Sequence, residues 1–106
     1  MANWILQMLA SGTLSTASAE LFNPRFPCVV RGVRVSNQSG VAATLTINAT
    51  TLGGSVPLST PSLPLLANES VLLDTPIMLS SETDAISGVG STSTGLTYVI
   101  WGVTKQ

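Results

Sequence analysis

The alternation of apolar and polar side chains between Val41 and Thr50 constrains the fold more than any other feature. In "VAATLTINAT" every second residue is apolar, and the residues between them are mostly threonine or asparagine. A period of two is typical of a β-strand with one face in a core and the other toward water. Leu45 and Ile47 share a parity, so we expect both to be core residues that face the same way.

The stretch before this strand, Cys28 to Val35, is also rich in β-forming residues. Arg31 interrupts its apolar pattern, and we expect a bulge near Gly32 to turn Arg31 outward. The turn residues Asn37–Gly40 follow. They predict that the two strands form a hairpin with a loop of about four residues.

A second strongly apolar strand is predicted near the C-terminus, at Leu96–Val103, "LTYVIWGV". It has apolar residues on both parities, which indicates a central strand between two layers or a strand that covers an interface. We therefore take Trp101 and Tyr98 as candidate interface residues. Arg31 and Arg34 join them, as charges that could pair with a partner.

The remaining segments add short strands. Ala85–Val89 is expected to form a second hairpin with the C-terminal strand. Prolines between residues 53 and 64 allow only edge or loop segments there, and Ser18–Phe22 could hold one helical turn. Further strands are predicted at Trp4–Ala10, Thr13–Thr16, Ser70–Leu73 and Ile77–Ser80. With about eight short strands, residues 1–106 are predicted to form one all-β domain, an antiparallel β-sandwich or a jelly-roll-like barrel.

The composition argues against catalysis. The chain has no histidine, which removes most general-base, triad and zinc schemes. Glu82 and Asp84 could form one edge of a calcium loop, but a solvated turn is the preferred interpretation. Glu69 and Asp74 could act as a glycosidase pair only if the fold placed them face to face. We expect no enzymatic activity, no metal and no cofactor, and we expect the single cysteine, Cys28, to be buried.

The charge balance also restricts the partners. Charged residues are 8% of the chain and the net charge is −1. So few basic residues cannot build the positive patch that nucleic acid requires. No apolar run approaches the ~20 residues of a membrane span, and the N-terminal apolar stretch lacks the basic region of a signal peptide. A nearly neutral surface is poorly protected against association, so we expect a homo-oligomer.

The order of four segments resembles the small β-sandwich virion structural proteins of tailed bacteriophages. These segments are "GTLSTASAELFNP", "CVVRGVRVSNQSGVAATLTI", "LLANESVLLDTPIMLSSETDAISGVGS" and "GLTYVIWGV". The resemblance covers roughly Gly12 to Val103 and contains no catalytic motif. It implies a capsid decoration (cement) protein on the capsid surface that binds the major capsid protein or other virion proteins, with a trimer favoured. A phage neck, tail or tail-fibre component is the first alternative, and a carbohydrate- or cell-surface-binding module is the second.

Overall fold

The computed structural model describes residues 4–24, 28–51, 54–59, 62–74, 76–79, 84–92 and 94–105. These residues form ten β-strands and no helix, so none of them belongs to a helix that could cross a membrane. The strands are β1 (Trp4–Thr13), β2 (Ala19–Phe22), β3 (Cys28–Asn37), β4 (Ala43–Thr51), β5 (Gly54–Pro57), β6 (Leu63–Leu65), β7 (Ser70–Leu73), β8 (Ile77–Leu79), β9 (Ala85–Gly90) and β10 (Leu96–Lys105).

The strands make two antiparallel sheets that pack face to face, which confirms the predicted all-β sandwich. Sheet A has the order β1-β10-β3-β7, and β8 also pairs with β3. Sheet B has the order β2-β9-β4-β5, and β6 also pairs with β4. The C-terminal strand β10 is central in sheet A, between β1 and β3. Its apolar residues on both parities therefore serve two different faces of one central strand.

The core lies between the sheets and follows the predicted alternation. Leu45 and Ile47 are buried, whereas Thr44 and Thr46 on the same strand are only half-buried. Burial of Cys28 is also confirmed, and it raises the pKa of the thiol by desolvation. The other buried apolar side chains come from both sheets: Leu14, Val30, Val33, Val35, Ala43, Ala49, Leu65, Leu79, Ile86, Leu96, Tyr98 and Ile100.

Both predicted hairpins are wrong, because each loop crosses from one sheet to the other. Strand β3 belongs to sheet A and β4 to sheet B, and likewise β10 belongs to sheet A and β9 to sheet B. The side chain of Asn37, fully buried, stabilises the first crossing. Its Nδ2 donates to the carbonyl oxygens of Val41 (2.8 Å) and Leu65 (3.0 Å), and its Oδ1 accepts from the Ser39 backbone N–H and hydroxyl. A loop held this way needs no strand pairing across it.

Of three further segments, two differ from the sequence prediction and one agrees with it. Strand β1 runs without a break through Ser11 and Gly12, and Thr13 is its last residue, so no separate strand Thr13–Thr16 exists. Ala19–Phe22 is strand β2 and not a helical turn, because it pairs with β9. The proline-rich middle segment behaves as predicted, since β5 and β6 are both short strands at the edge of sheet B.

Candidate functional site

The outer face of sheet A, which points away from the core, carries side chains in rows. Residues directly opposite each other in an antiparallel sheet point to the same side, so the register joins them across the strands. The first row is Leu6, Val103, Val29 and Met78. The second is Met8, Trp101 and Gly32. The third is Ser11, Val99, Arg34 and Leu72. The fourth is Thr13, Thr97, Ser36 and Ser70.

These rows change from apolar to polar along the sheet. The first two contain no charged or hydroxyl-bearing side chain, whereas the fourth is entirely serine and threonine, with Ser36 and Ser70 hydrogen-bonded through their hydroxyls (2.9 Å). Of eight large apolar side chains exposed among the described residues, five lie on this face: Leu6, Met8, Leu72, Met78 and Val99. We call the outer side of the first three rows the apolar face.

The outer side of sheet B has a different character. Thr44, Thr46 and Asn48 of β4 point outward there, next to Ser87 and Val89 of β9. Hydroxyl and amide groups of this kind are readily solvated. The sandwich therefore has one outer side suited to water and one with apolar surface that water solvates poorly.

Trp101, one of the candidate interface residues, lies in the second row of the apolar face. Its indole ring covers Gly32 on the neighbouring strand, since a Cβ placed on that glycine would come within 2.5 Å of the ring. The glycine leaves the space that the ring occupies. The ring itself is half-buried, so part of it stays exposed on the outer side of the sheet.

The two candidate arginines also lie on this side of sheet A. The register steps from Trp101 opposite Gly32 to Gly102 opposite Val30, which leaves Arg31 as the extra residue of a bulge. The bulge and the exposed position of Arg31 are as predicted. Arg34 is exposed in the third row. Tyr98 does not belong to this surface: it is 8% exposed and points into the core with Leu96 and Ile100.

A pocket of about 500 Å³ opens beside the apolar face, where β1 of sheet A approaches β2 of sheet B. Two of its polar side chains are already bonded. Gln7 donates to the Thr104 hydroxyl (2.7 Å), and Asn23 donates to the carbonyl oxygen of Asp84 (3.0 Å). The rest of the lining is apolar: Met8, Leu9, Ala10, Leu21, Phe22, Pro24 and Cys28. Such a lining accepts an apolar group. It contains no carboxylate and no basic side chain, and burial raises the pKa of its one thiol, Cys28.

The acidic residues do not assemble into a site within the described residues. Asp84 is buried, which corrects the expectation of a solvated turn, and Glu82 lies outside the described residues. Glu69 and Asp74 flank β7 at its two ends, roughly 16 Å apart along the strand, which is too far for a glycosidase pair. No cluster of three potential metal ligands occurs in the part of the chain that is described. Absence of enzymatic activity stays a prediction.

Comparison with known proteins gives little similarity. No protein-family model matches the chain, and no curated protein matches it. Among solved structures, the core of Drosophila NLP matches with 10% sequence identity and a TM-score of 0.43, covering 96% of each chain. That crystal structure is described as providing insight into pentamer formation and histone binding. At this similarity the match transfers neither property to the present chain.

The comparison corrects the predicted function. A capsid decoration protein, or another phage virion component, was expected, whereas the structure found is of a histone-binding protein and not of a virion protein. This finding gives no support to a virion role, and none is proposed for the present chain. The NLP description concerns contacts between proteins and names a pentamer, whereas the partner prediction was a homo-oligomer with a trimer favoured. The resemblance to phage proteins and the virion location are not tested by these comparisons.

Proposed function

We propose that this domain acts through protein–protein contact and that the apolar face of sheet A is the surface it uses. The observation that carries the proposal is the concentration of exposed large apolar side chains on one outer side of the sandwich. Scattered apolar residues are normal on a protein surface, whereas a contiguous patch marks a contact site. Here the register makes the patch contiguous, because Leu6, Val103, Val29 and Met78 are neighbours across four strands.

The charges on this face indicate the chemistry of the partner. Arg31 and Arg34 are exposed there, and the first three rows contain no carboxylate. Arginine pairs with carboxylates through two parallel hydrogen bonds and also tolerates partial burial. The complementary surface is therefore apolar at its centre, with carboxylates opposite the two arginines. Half-buried Trp101 is the expected anchor, because tryptophan and arginine dominate the energetics of many interfaces.

Substitution of an exposed apolar residue on this face tests the proposal. In Met78→Glu, an unpaired carboxylate would be buried at the interface, so we expect the amount of bound partner to fall by about tenfold or more. The measurement is quantitative mass spectrometry of the proteins that copurify with the tagged domain from the cells that make it, compared between variant and wild type.

Val56→Glu is the matched control. Val56 is also an exposed apolar residue, but it lies on β5 of sheet B. We expect this variant to retain the same proteins in the same ratio as the wild type. Equal losses in the two variants, or full retention by Met78→Glu, would contradict the assignment of the apolar face.

A further inference from the structure

The open edges of the two sheets are not equally protected against pairing with another strand. Strands β2, β5 and β7 have four residues each, and β6 and β8 have three. Proline occurs in β5 and β6 and directly before β8, and β2 carries the exposed Glu20. Short length, proline and charged side chains are the features of edge strands that prevent two sheets from pairing edge to edge.

Strand β1, the other edge of sheet A, has almost none of these protective features. It is ten residues long, and its sequence "WILQMLASGT" contains no proline and no charged residue. A bulge at Leu9 divides it, and the segment Trp4–Met8 before the bulge is regularly paired with β10 and with no other strand among the described residues. Leu6 and Met8 in this segment are 67% and 63% exposed. The segment thus offers free backbone groups and apolar side chains at the same edge.

We propose that two copies of this chain associate through antiparallel pairing of β1 with β1, centred on Leu6. An uncharged, apolar edge is complementary to an uncharged, apolar strand, and β1 itself is such a strand. A two-fold axis through Leu6 makes the contact self-complementary. It places Leu6 of one copy directly opposite Leu6 of the other, on the outer side of a sheet that continues through both molecules.

The arginines decide between edge pairing and stacking of two apolar faces. Strand β3, which carries Arg31 and Arg34, lies two strands away from β1. In the edge-paired dimer the two β3 strands are five strand spacings apart, roughly 24 Å, which exceeds the screening length of about 8–10 Å. Stacked sheets would be only ~10 Å apart, and the arginines of one copy would face those of the other. Edge pairing avoids this repulsion.

The inference deepens the proposed contact function, because edge pairing joins two apolar faces into one continuous surface. Each dimer would then present two anchors and two pairs of arginines on the same side. A partner with repeated sites would be bound more tightly than by one copy, since the second contact becomes intramolecular. Dimer formation itself does not depend on that function.

Cysteine cross-linking tests the pairing directly. Opposed residues of an antiparallel pair have Cα atoms about 4.5–5.5 Å apart, within the range that a disulfide spans. We expect Leu6→Cys to form a covalent dimer under mild oxidation at least ~10-fold faster than Met78→Cys. Met78 is the matched control because it is 61% exposed on the same face but lies on β8, at the opposite edge. Wild type is the second control, because Cys28 is buried and its raised thiol pKa keeps it unreactive.

Sedimentation equilibrium supplies an independent measurement without oxidation. Leu6→Lys places two lysines opposite each other across the axis, so we expect its dimer dissociation constant to rise by about tenfold or more. Met78→Lys should leave that constant unchanged. A monomeric wild type at ~100 μM, or faster cross-linking at residue 78 than at residue 6, would overturn the proposal. A monomeric wild type overturns pairing between copies even if Leu6→Lys loses a copurifying protein, because Leu6 also belongs to the apolar face and its substitution can weaken a partner contact there.

The two proposals fail separately. Loss of bound partner in Met78→Glu with no wild-type dimer would leave the contact function standing and remove the edge pairing. A wild-type dimer whose partner binding is unchanged by Met78→Glu would support the edge pairing and remove the contact function of the apolar face.

Discussion

Leu45→Ala is expected to lower the free energy of unfolding by about 2–5 kcal/mol. Leu45 is 1% exposed and lies opposite Leu63 on one side and Gly90 on the other. Truncation removes buried methyl groups and leaves a cavity, which costs more than the transfer of those groups to water alone. Glycine at position 90 has no side chain that could move into the space. Equilibrium unfolding in urea measures the loss.

Thr44→Ala is the matched control for this prediction. Thr44 is the preceding residue of β4, half-buried, and it points to the outer side of sheet B. We expect its loss to stay within about 0.5–1 kcal/mol, since no apolar contact in the core is removed. If Thr44→Ala and Leu45→Ala cost the same, the assignment of core and solvent faces along β4 is wrong.

Gly102→Ala is expected to cost more than about 3 kcal/mol or to prevent folding. A Cβ at this position would overlap the backbone carbonyl oxygen of Val29 and would come within 2.9 Å of the Val30 Cα. Both obstacles belong to the backbone of β3, which cannot move without breaking the pairing with β10. Thermal unfolding followed by circular dichroism shows whether a folded population remains.

Gly32→Ala separates this backbone clash from general intolerance at the bulge. Gly32 lies opposite Trp101, and the three atoms nearest to its added Cβ all belong to the ring of that side chain. Because Trp101 is on the outer face and half-exposed, its ring can move toward solvent. We expect a clearly smaller loss of stability than for Gly102→Ala. Equal losses in the two variants would contradict this account of the close approach of β3 and β10.

The sequence predicted which side of a strand is buried better than it predicted which strands pair with each other. The period of two around Leu45 and Ile47 predicted the core side of β4, because alternation reports directly which side of a strand is buried. Pairing is a different property. The turn residues Asn37–Gly40 suit a hairpin and a crossing between sheets equally well, and the buried amide of Asn37 is what stabilises the crossing. A local pattern contains no information about the distant residue, Leu65, that this amide binds.

The candidate surface was predictable in part for the same reason. The two apolar parities of β10 indicated either a central strand between two layers or a strand that covers an interface, and Trp101, named from that signal, lies on the outer side of sheet A. The choice of parity required the second sheet, and Tyr98 was assigned to the surface although it lies in the core. Leu6, Met8, Leu72 and Met78 were missed because their strands are short or divided. Only the register shows that they adjoin Trp101 and Arg34 across the sheet.

We expect the apolar face of sheet A to be covered by protein when this domain is assembled. Hydroxyl-radical footprinting with mass spectrometry measures this coverage, because methionine is oxidised rapidly wherever it is exposed. Met8 and Met78 lie at opposite edges of the face, while Val41 and Leu66 are comparably exposed apolar residues elsewhere. The same four residues can be compared in the native assembly and in the dissociated chain.

We predict that assembly slows oxidation of both Met8 and Met78 several-fold and leaves the labelling of Val41 and Leu66 unchanged. Protection of Met8 alone would support pairing of β1 edges without a partner on the face. Equal oxidation of both methionines in the assembled and dissociated states, with protection found instead at Val41 or Leu66, would show that the contact surface lies elsewhere on the domain.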